Sequence, residues 1–366
     1  MPKNKTSIPD EPRHLSPHVD RPTIFDLERY TGFSRSTISR AFNPEASVKK
    51  KTRERIIEAA NEIGFSLHPG ARMIRSRRSF RWGVLLPHLE NPEYTEMVES
   101  LDAEARRNGT SLMLGLTHYD PKIEAGFLRN WAAGEVDGVI CDVGSWEKNG
   151  QFCGQLRKRR FPFYALYYAE KDLSLINKSN YETFRLAVRN LIGHGHRRIA
   201  YVGLSNESAR LANAFRAYRD ELEAQRIEFD ESLIIEGVNN RATGADAWRQ
   251  IKTLKDAPTA VMAFNDILAS GVWIGANADG YSVPKHLSII GSDDIPESRL
   301  MGLSSIRYDR AEFARKVIGG LDAMRRDPER PREIIQLTTE LVIRESVGPP
   351  ADRSPGWQDR PNSTKY

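Results

Sequence analysis

The twenty residues Thr23-Ile-Phe-Asp-Leu-Glu-Arg-Tyr-Thr-Gly-Phe-Ser-Arg-Ser-Thr-Ile-Ser-Arg-Ala-Phe42 hold two short helical patterns around a glycine. Thr23 followed by Asp26, with Pro22 in front, reads as a capping-box start, and Ile24, Leu27 and Tyr30 then share one face of a first helix. Gly32 breaks that helix, and Ser34 is a natural N-cap for a second. In the second helix Ile38 and Phe42 face inward, which turns Arg35, Ser36, Ser39 and Arg40 outward. A third helix, from Thr52 to Ile63, buries Ile56, Ala60 and Ile63 and ends at Gly64. Two short helices around a glycine turn, the second polar and basic on its outer face, make a helix-turn-helix. Such a second helix fits the major groove, so Arg35, Ser36 and Arg40 are assigned to base edges. Thr37, Ser39 and Asn43 suit phosphates or caps. From the pattern alone, a three-helix bundle that binds no DNA is the competing reading.

Charge supports the first reading. Residues 21–81 carry 14 Lys/Arg against 6 Asp/Glu, a balance of +8 in a chain whose total is +5. The positive field therefore sits in one short segment, as a nucleic-acid module joined to a near-neutral domain would show. The 366 residues allow a small module plus a two-lobed core. No stretch approaches the roughly 18 apolar residues of a membrane span, and Met1 to Asp20 has no apolar signal region, so a soluble cytoplasmic protein without membrane partners is expected. Cys141 and Cys153 form no CxxC pattern and read as ordinary buried thiols.

Residues 1–20, rich in Pro, Lys and Asp, are expected to be a disordered arm, and 347–366 a disordered tail. From Trp82 onward short apolar runs alternate with amphipathic stretches. Trp82 to Pro87, Ser111 to Leu116, Val136 to Ile140, Ile199 to Val202, Thr259 to Phe264 and Leu287 to Ile290 predict buried strands, while Thr95 to Asn108 and Tyr181 to Gly193 predict helices. That alternation predicts one or two doubly wound parallel sheets. Ligands bind such sheets at the carboxyl ends of strands, which makes His88, Glu93 and Tyr94 after the first strand, Tyr119 after the second, Asn265 after the fifth and Asp293 after the sixth candidate ligand contacts.

Catalytic signatures are missing. There is no Gly-x-Ser-x-Gly elbow, phosphate loop or GxGxxG, so no enzyme and no cofactor are expected. His194 and His196 lack a third ligand, so no metal is expected either. Asp293 and Asp294 are adjacent on a strand end and point in opposite directions, which is no arrangement for paired acid–base work.

Thr23-Ile-Phe-Asp26, Gly32-Phe-Ser34, Ser36-Thr-Ile-Ser-Arg40, Asn43 and Thr52-Arg-Glu-Arg-Ile56 resemble the headpiece of the lactose-repressor (LacI/GalR) family of bacterial transcriptional regulators. The resemblance continues through Ala71-Arg72, Asn91-Pro92, Val136-Asp-Gly-Val139, Gly195-His-Arg-Arg-Ile-Ala200, Asn265-Asp266, Gly291-Ser-Asp-Asp-Ile-Pro296 and Leu303-Ser-Ser-Ile306, an ordered series over about 280 residues. It implies an all-α helix-turn-helix headpiece (21–66), a hinge (67–81) and a periplasmic-binding-protein-like α/β core (82–346). The first lobe would comprise 82–180 with 308–325, and the second 181–307 with 326–346.

The hinge would fold on the minor groove with Arg72, Met73, Ile74 and Arg75, Ile74 taking the wedge position, and Thr23 and Ser34 would join the DNA-contacting set. A flexible basic linker is the other reading of this piece. Asn265, Asp293 and Arg210 would contact an effector, by resemblance a sugar or derivative. The implied protein is a ligand-responsive homodimeric repressor of carbohydrate-related genes on a pseudo-palindromic operator. An activator, a regulator answering to a sugar acid or purine, and a plain solute-binding protein are the alternatives.

Several residues depart from the family's usual pattern. Glu28 stands for a small Ala, Lys49 for a Ser cap, Asn213 for Gly, Ser292 for an aromatic residue, Glu93 for a Phe, and Tyr308 for a frequent Gln.

Overall fold

A computed structural model describes residues 22–42, 46–66, 70, 73, 76, 78–144, 146–167, 173–177, 181–204 and 212–350. The proposed arm, Asn43, the hinge residues Arg72, Ile74 and Arg75, Arg210 and the last sixteen residues of the proposed tail lie outside them. The chain divides into two compact units, Met1–Ser79 and Phe80–Tyr366.

In the first unit, helices α1 (Ile24–Thr31), α2 (Arg35–Ala41) and α3 (Lys50–Glu62) close over Leu27, Ile38 and Ile56, each fully buried. Both arms of the capping box form, the Thr23 N–H donating to Asp26 Oδ2 at 2.8 Å and the Thr23 side chain accepting the Asp26 N–H; the Thr23 hydroxyl also donates to Asp26 Oδ2 at 2.7 Å. Gly32 ends α1 in the left-handed conformation, φ 72°, which a Cβ would strain. The Ser34 hydroxyl accepts from the Thr37 N–H and starts α2. Lys49 begins α3 without a side-chain cap. Arg53 compensates by reaching across, donating to the carbonyls of Ala41 (2.6 Å) and Ala46 (2.7 Å), and Tyr30 ties α1 to α3 through Glu62 at 2.8 Å. The described hinge positions Gly70, Met73 and Ser76 have helical backbone.

The second unit is built from two six-stranded sheets. The first holds β1 (Arg81–Leu86), β2 (Ser111–Leu116), β3 (Val139–Cys141), β4 (Phe163–Leu166), β5 (Ser174–Asn177) and β11 (Ile334–Gln336) in the order β11-β5-β4-β3-β1-β2, all parallel. The second holds β6 (Ile199–Gly203), β7 (Ile234–Glu236), β8 (Ala260–Ala263), β9 (Ser288–Ser292), β10 (Ser304–Tyr308) and β12 (Thr339–Val342) in the order β12-β10-β9-β8-β6-β7. Among the described residues only the β10–β12 pair is antiparallel. Burial on both faces explains why β1, β6 and β8 read as continuous apolar runs.

Crossover helices α4 (Pro92–Arg107), α5 (Pro121–Asn130) and α6 (Trp146–Lys158) serve the first sheet. Helices α7 (Tyr181–Gly193), α8 (Ala212–Ala224), α9 (Arg241–Ile251), α10 (Asp266–Ala278) and α11 (Pro296–Met301) serve the second. Helix α12 (Arg310–Arg326) returns to the first core, packing Phe313, Val317 and Leu321 beside Trp82 and Met97.

The segment 326–336, expected in the second lobe, stands with the first. Its Ile335 is buried in the first core, and β11 extends the first sheet beside β5, so the last crossing comes after Gln336. Strand β10 belongs to the second sheet while the ring of Tyr308, at its end, is buried in the first core.

His196 is buried between strands. Its Nε2–H donates to the Gly348 carbonyl at 2.8 Å, which leaves Nδ1 to accept from the Thr259 hydroxyl at 2.8 Å, so the side chain pins the end of the described chain to the second sheet. Cys141 and Cys153 are free and buried.

Helices α9 and α10 meet through facing glycines. A Cβ on Gly244 would collide with the Leu268 carbonyl and the Gly271 Cα. Gly244→Ala is therefore expected to destabilise the second unit by about 1–3 kcal/mol despite alanine's better helix propensity. Urea unfolding of the full chain checks this; a stabilised variant would contradict the packing.

Candidate functional site

The outer surface of α2 is polar and accessible. Arg35, Ser36 and Arg40 are exposed, and Thr37 and Ser39 half-buried, around the inward Ile38 and Ala41. Arg35 lies over the exposed Phe25 ring, 4.7 Å from its centroid, and pairs with Glu28 at 3.3 Å. Glu28 also accepts the Arg35 N–H at 3.2 Å, placing an acceptor at the N-terminal end of α2, where positive partial charge gathers. The Arg40 Nε–H donates back to the Ser36 carbonyl at 3.3 Å. The hydroxyl of Thr23 is engaged in its cap, and Ser34 hydroxyl contacts reach Ser36 and Thr37, both at 3.0 Å. Met73 is partly exposed.

The carboxyl ends of both sheets border a cleft in the second unit. Its space is about 610 Å³ with the open mouth included, in the range of small-molecule sites. From the first lobe come Asn91, Glu93, Tyr94 and Tyr167. The second contributes Phe184, Leu204 and Phe264 as apolar walls and Asn239, Asn265, Ser292 and Asp293 as polar groups. Four residues named from the sequence therefore meet: Glu93, Tyr94, Asn265 and Asp293.

Helix starts deliver several of these groups. Asn91 caps α4, its Oδ1 accepting from the Glu93 N–H at 3.0 Å. Asn265 caps α10 through the Leu268 N–H at 3.1 Å, while its Nδ2 donates to Asn239 Oδ1 at 2.6 Å. Asp293 and Asp294 both have positive φ, 114° and 50°, costly conformations for residues with a Cβ. Two bonds keep Asp293 there: its N–H donates to the Ile306 carbonyl at 2.7 Å, and its carbonyl accepts from Arg310 at 2.5 Å.

The other candidates fall elsewhere. Tyr308 stands behind Glu93, donating from its hydroxyl to Oε1 at 2.6 Å. His88 and Tyr119 lie beside Tyr94 and outside the cleft lining. Their rings are edge-on, His88 to Tyr94 at 5.5 Å and His88 to Tyr119 at 5.7 Å. The Tyr94 hydroxyl donates to Asp142 at 2.7 Å, and the Tyr119 hydroxyl approaches His88 Nε2 at 3.4 Å. Burial pushes the His88 imidazole below its ordinary value.

Sequence reasoning missed Tyr167, Phe184, Asn239, Phe264 and Arg310. Tyr167 follows β4 and Arg310 follows β10, two strands too short or too serine-rich to be recognised from pattern. No group of three or more His, Cys, Asp or Glu able to hold a metal occurs among the described residues. No described helix is long and apolar enough to cross a membrane.

Asp266 lies fully buried beneath the strand end that carries Asp293, accepting from the Ser305 hydroxyl at 2.7 Å and the Ile295 N–H at 3.1 Å. Burial, and then the neighbouring Asp293, push its carboxyl well above the ordinary range. A carboxyl raised on folding contributes stability that is present below its unfolded value, near 3.8, and is lost as pH rises through the folded one. Asp266→Asn should flatten that loss in thermal unfolding measured from pH 4 upward. The same slope in both proteins would contradict the assignment.

A three-helix unit with an exposed polar reading helix, followed by a two-lobed α/β core enclosing a polar and aromatic cleft, defines a DNA-binding regulator with a ligand-sensing domain. The comparisons agree. Residues 23–67 match the model of bacterial regulatory proteins of the lacI family, and residues 188–347 match a periplasmic binding protein-like domain. The HTH-type transcriptional repressor PurR of Mannheimia succiniciproducens is 26% identical over 332 residues, covering 89% of this chain and 98% of the relative. Two solved structures share the fold. The lac repressor dimer bound to operator and the anti-inducer ONPF has a TM-score of 0.77 at 21% identity, covering 90% of this chain and 100% of that one. The transcriptional regulator CelR–cellobiose complex has 0.66 at 22%, covering 89% and 100%. The chain thus pairs a lacI-family helix-turn-helix domain with a periplasmic binding protein-like domain, and the relatives it matches over 89% of its length are transcriptional regulators.

Proposed function

We propose that this protein is a homodimeric repressor that grips a pseudo-palindromic operator through α2 and the hinge, and that a small hydroxylated effector in the cleft sets the strength of that grip. The observation that carries the reading is the exposed Arg35–Ser36–Arg40 face of α2. Arg35 and Arg40 would fork onto guanine O6 and N7, with Ser36 at a neighbouring base edge. The Arg35–Glu28 pair has to open for this, and exposed ion pairs are worth only about 0–1 kcal/mol, so opening is cheap. Thr23, Ser34, Thr37, Ser39 and Asn43 would fix the register on phosphates. Arg72, Met73, Ile74 and Arg75 would enter the minor groove, Ile74 as the wedge.

In the cleft, Asn265 and Asp293 offer acceptors and donors to hydroxyls, while Tyr94, Tyr167 and Phe264 offer flat apolar walls. That combination suits a carbohydrate, and one relative of the same fold was solved with cellobiose. His88 and Tyr119 remain effector contacts only if the lobes rearrange around the ligand, and Arg210, outside the described residues, is kept as a proposed contact. Ligand that favours one placement of the lobes would alter the spacing of paired hinges and so the affinity for DNA.

Arg40→Ala is expected to weaken binding to a selected operator by roughly ten- to a hundredfold in a mobility-shift titration, corresponding to about 1–3 kcal/mol for a lost base-specific fork. A loss equal on operator and random DNA would move Arg40 to the phosphates. Asp293→Ala should abolish the thermal stabilisation that the effector gives by mass action, found by screening mono- and oligosaccharides, sugar acids and purines. An undiminished shift in a folded variant would remove Asp293 from the ligand.

A further inference from the structure

We infer that Glu93 is a tethered carboxylate ligand: it fills an anion-binding corner made by Arg310 and Tyr308, so that the cleft accepts an uncharged hydroxylated effector and turns away acidic ones. This rests on the cleft being the effector site, and it goes further by naming the charge class that the site selects.

Glu93 stands where the family usually places a Phe. Its side chain is almost wholly buried, 1% exposed, at the wall of the cleft. The two carboxylate oxygens are used separately, Oε1 by the Tyr308 hydroxyl at 2.6 Å and Oε2 by Arg310 Nη2 at 2.6 Å. This is how a guanidinium and a phenol would receive an external acid, and the side chain supplies it from within. Arg310 lies over the Tyr308 ring at 5.3 Å and makes an ion pair with Glu96 at 3.0 Å. Its Nε is buried without a hydrogen-bond partner among the described residues, a donor that the tethered acid leaves over.

Electrostatics then sets the selection. The described lining carries two carboxylates, Glu93 and Asp293, and no Lys or Arg. The cation behind it is already committed, since Arg310 holds Glu93, Glu96 and the Asp293 carbonyl. An acidic ligand would face Asp293 at close range in a cleft partly shielded from water, where like charges repel more strongly than in bulk solvent. A hydroxylated neutral ligand meets hydrogen-bonding groups without that penalty.

Chemical rescue tests this without knowing the effector. In the full chain, Glu93→Ala empties the corner, and acetate should refill it. The melting midpoint should rise by about 3 °C when acetate reaches a tenfold excess over its Kd, compared with chloride at equal ionic strength. The unchanged protein should respond to acetate no more than to chloride, and Glu93→Ala/Arg310→Met should lose the response. No acetate response in Glu93→Ala, or an equal one in the unchanged protein, overturns the inference.

Should the Ala variant fail to fold, Glu93→Gln keeps the size and drops the charge. Assayed against glucose with glucuronate and galactose with galacturonate, the unchanged protein should favour the neutral member of any pair that binds. Glu93→Gln should move that preference at least tenfold towards the acid. Preference of the unchanged protein for the acid overturns the inference. Operator binding by the same preparations is a separate readout: its failure would sink the regulator reading and leave the acetate result standing.

Discussion

The guanidinium of Arg310 joins the two lobes at the point where the chain crosses between them. One nitrogen reaches Glu93 on α4 and the carbonyl of Asp293 beyond β9, so helix start, strand end and crossing are fixed together. Burial alone would discourage the charge on Arg310, but Glu93, Tyr308 and Glu96 together offset it and the guanidinium is held above its ordinary value. Buried ion pairs seldom add net stability, because desolvation consumes the Coulombic gain, yet removing one partner costs about 3–5 kcal/mol. Such a junction is therefore better understood as a device for geometry. A second, more exposed link from Arg299 on α11 to Glu96 at 2.7 Å follows the same line from lobe to lobe.

Around that junction, groups that build the fold also face the cleft. Asn91 and Asn265 satisfy helix N-termini with a side-chain oxygen and also line the cleft, where the Asn265 Nδ2 is held by Asn239. The strained turn at Asp293 and Asp294 is held on both sides: Arg344 reaches the Asp294 carboxylate at 2.6 Å, and Arg310 takes the Asp293 carbonyl. Strain of about 1–3 kcal/mol per residue persists only where the surroundings over-determine it. Here those surroundings come from both lobes.

Much of this was legible from residues alone. Both ends of α1, the cap of α2 and the buried strands β1, β6, β8 and β9 follow from capping chemistry and continuous apolar runs, while β2, expected to be buried, forms at the sheet edge with most of its residues half-buried or exposed. Strands such as Ser174–Asn177 and Ser304–Tyr308 did not, because short or serine-bearing segments lack the apolar signal and gain their strand character from neighbours in the sheet. Missing β10 meant missing Arg310. For Glu93, the sequence marked a departure from the family pattern, but a carboxylate's partners lie 215 and 217 residues away and depend on tertiary structure. His88 and Tyr119 sit after the right strands, yet they pack against each other beside Tyr94 and outside the cleft lining, a side-chain detail that strand order does not encode.

If the interlobe junction governs the grip on DNA, changing it should act on DNA without any effector. The most direct measurement pairs the lobe-to-lobe distance, by double electron–electron resonance on spin-labelled full chain, with affinity for a DNA fragment that the unchanged protein selects from its own genome, in Arg310→Met and the unchanged protein. The account predicts that distance and affinity change together while the helical content of the first unit stays the same. Altered lobe separation with identical DNA affinity would contradict it.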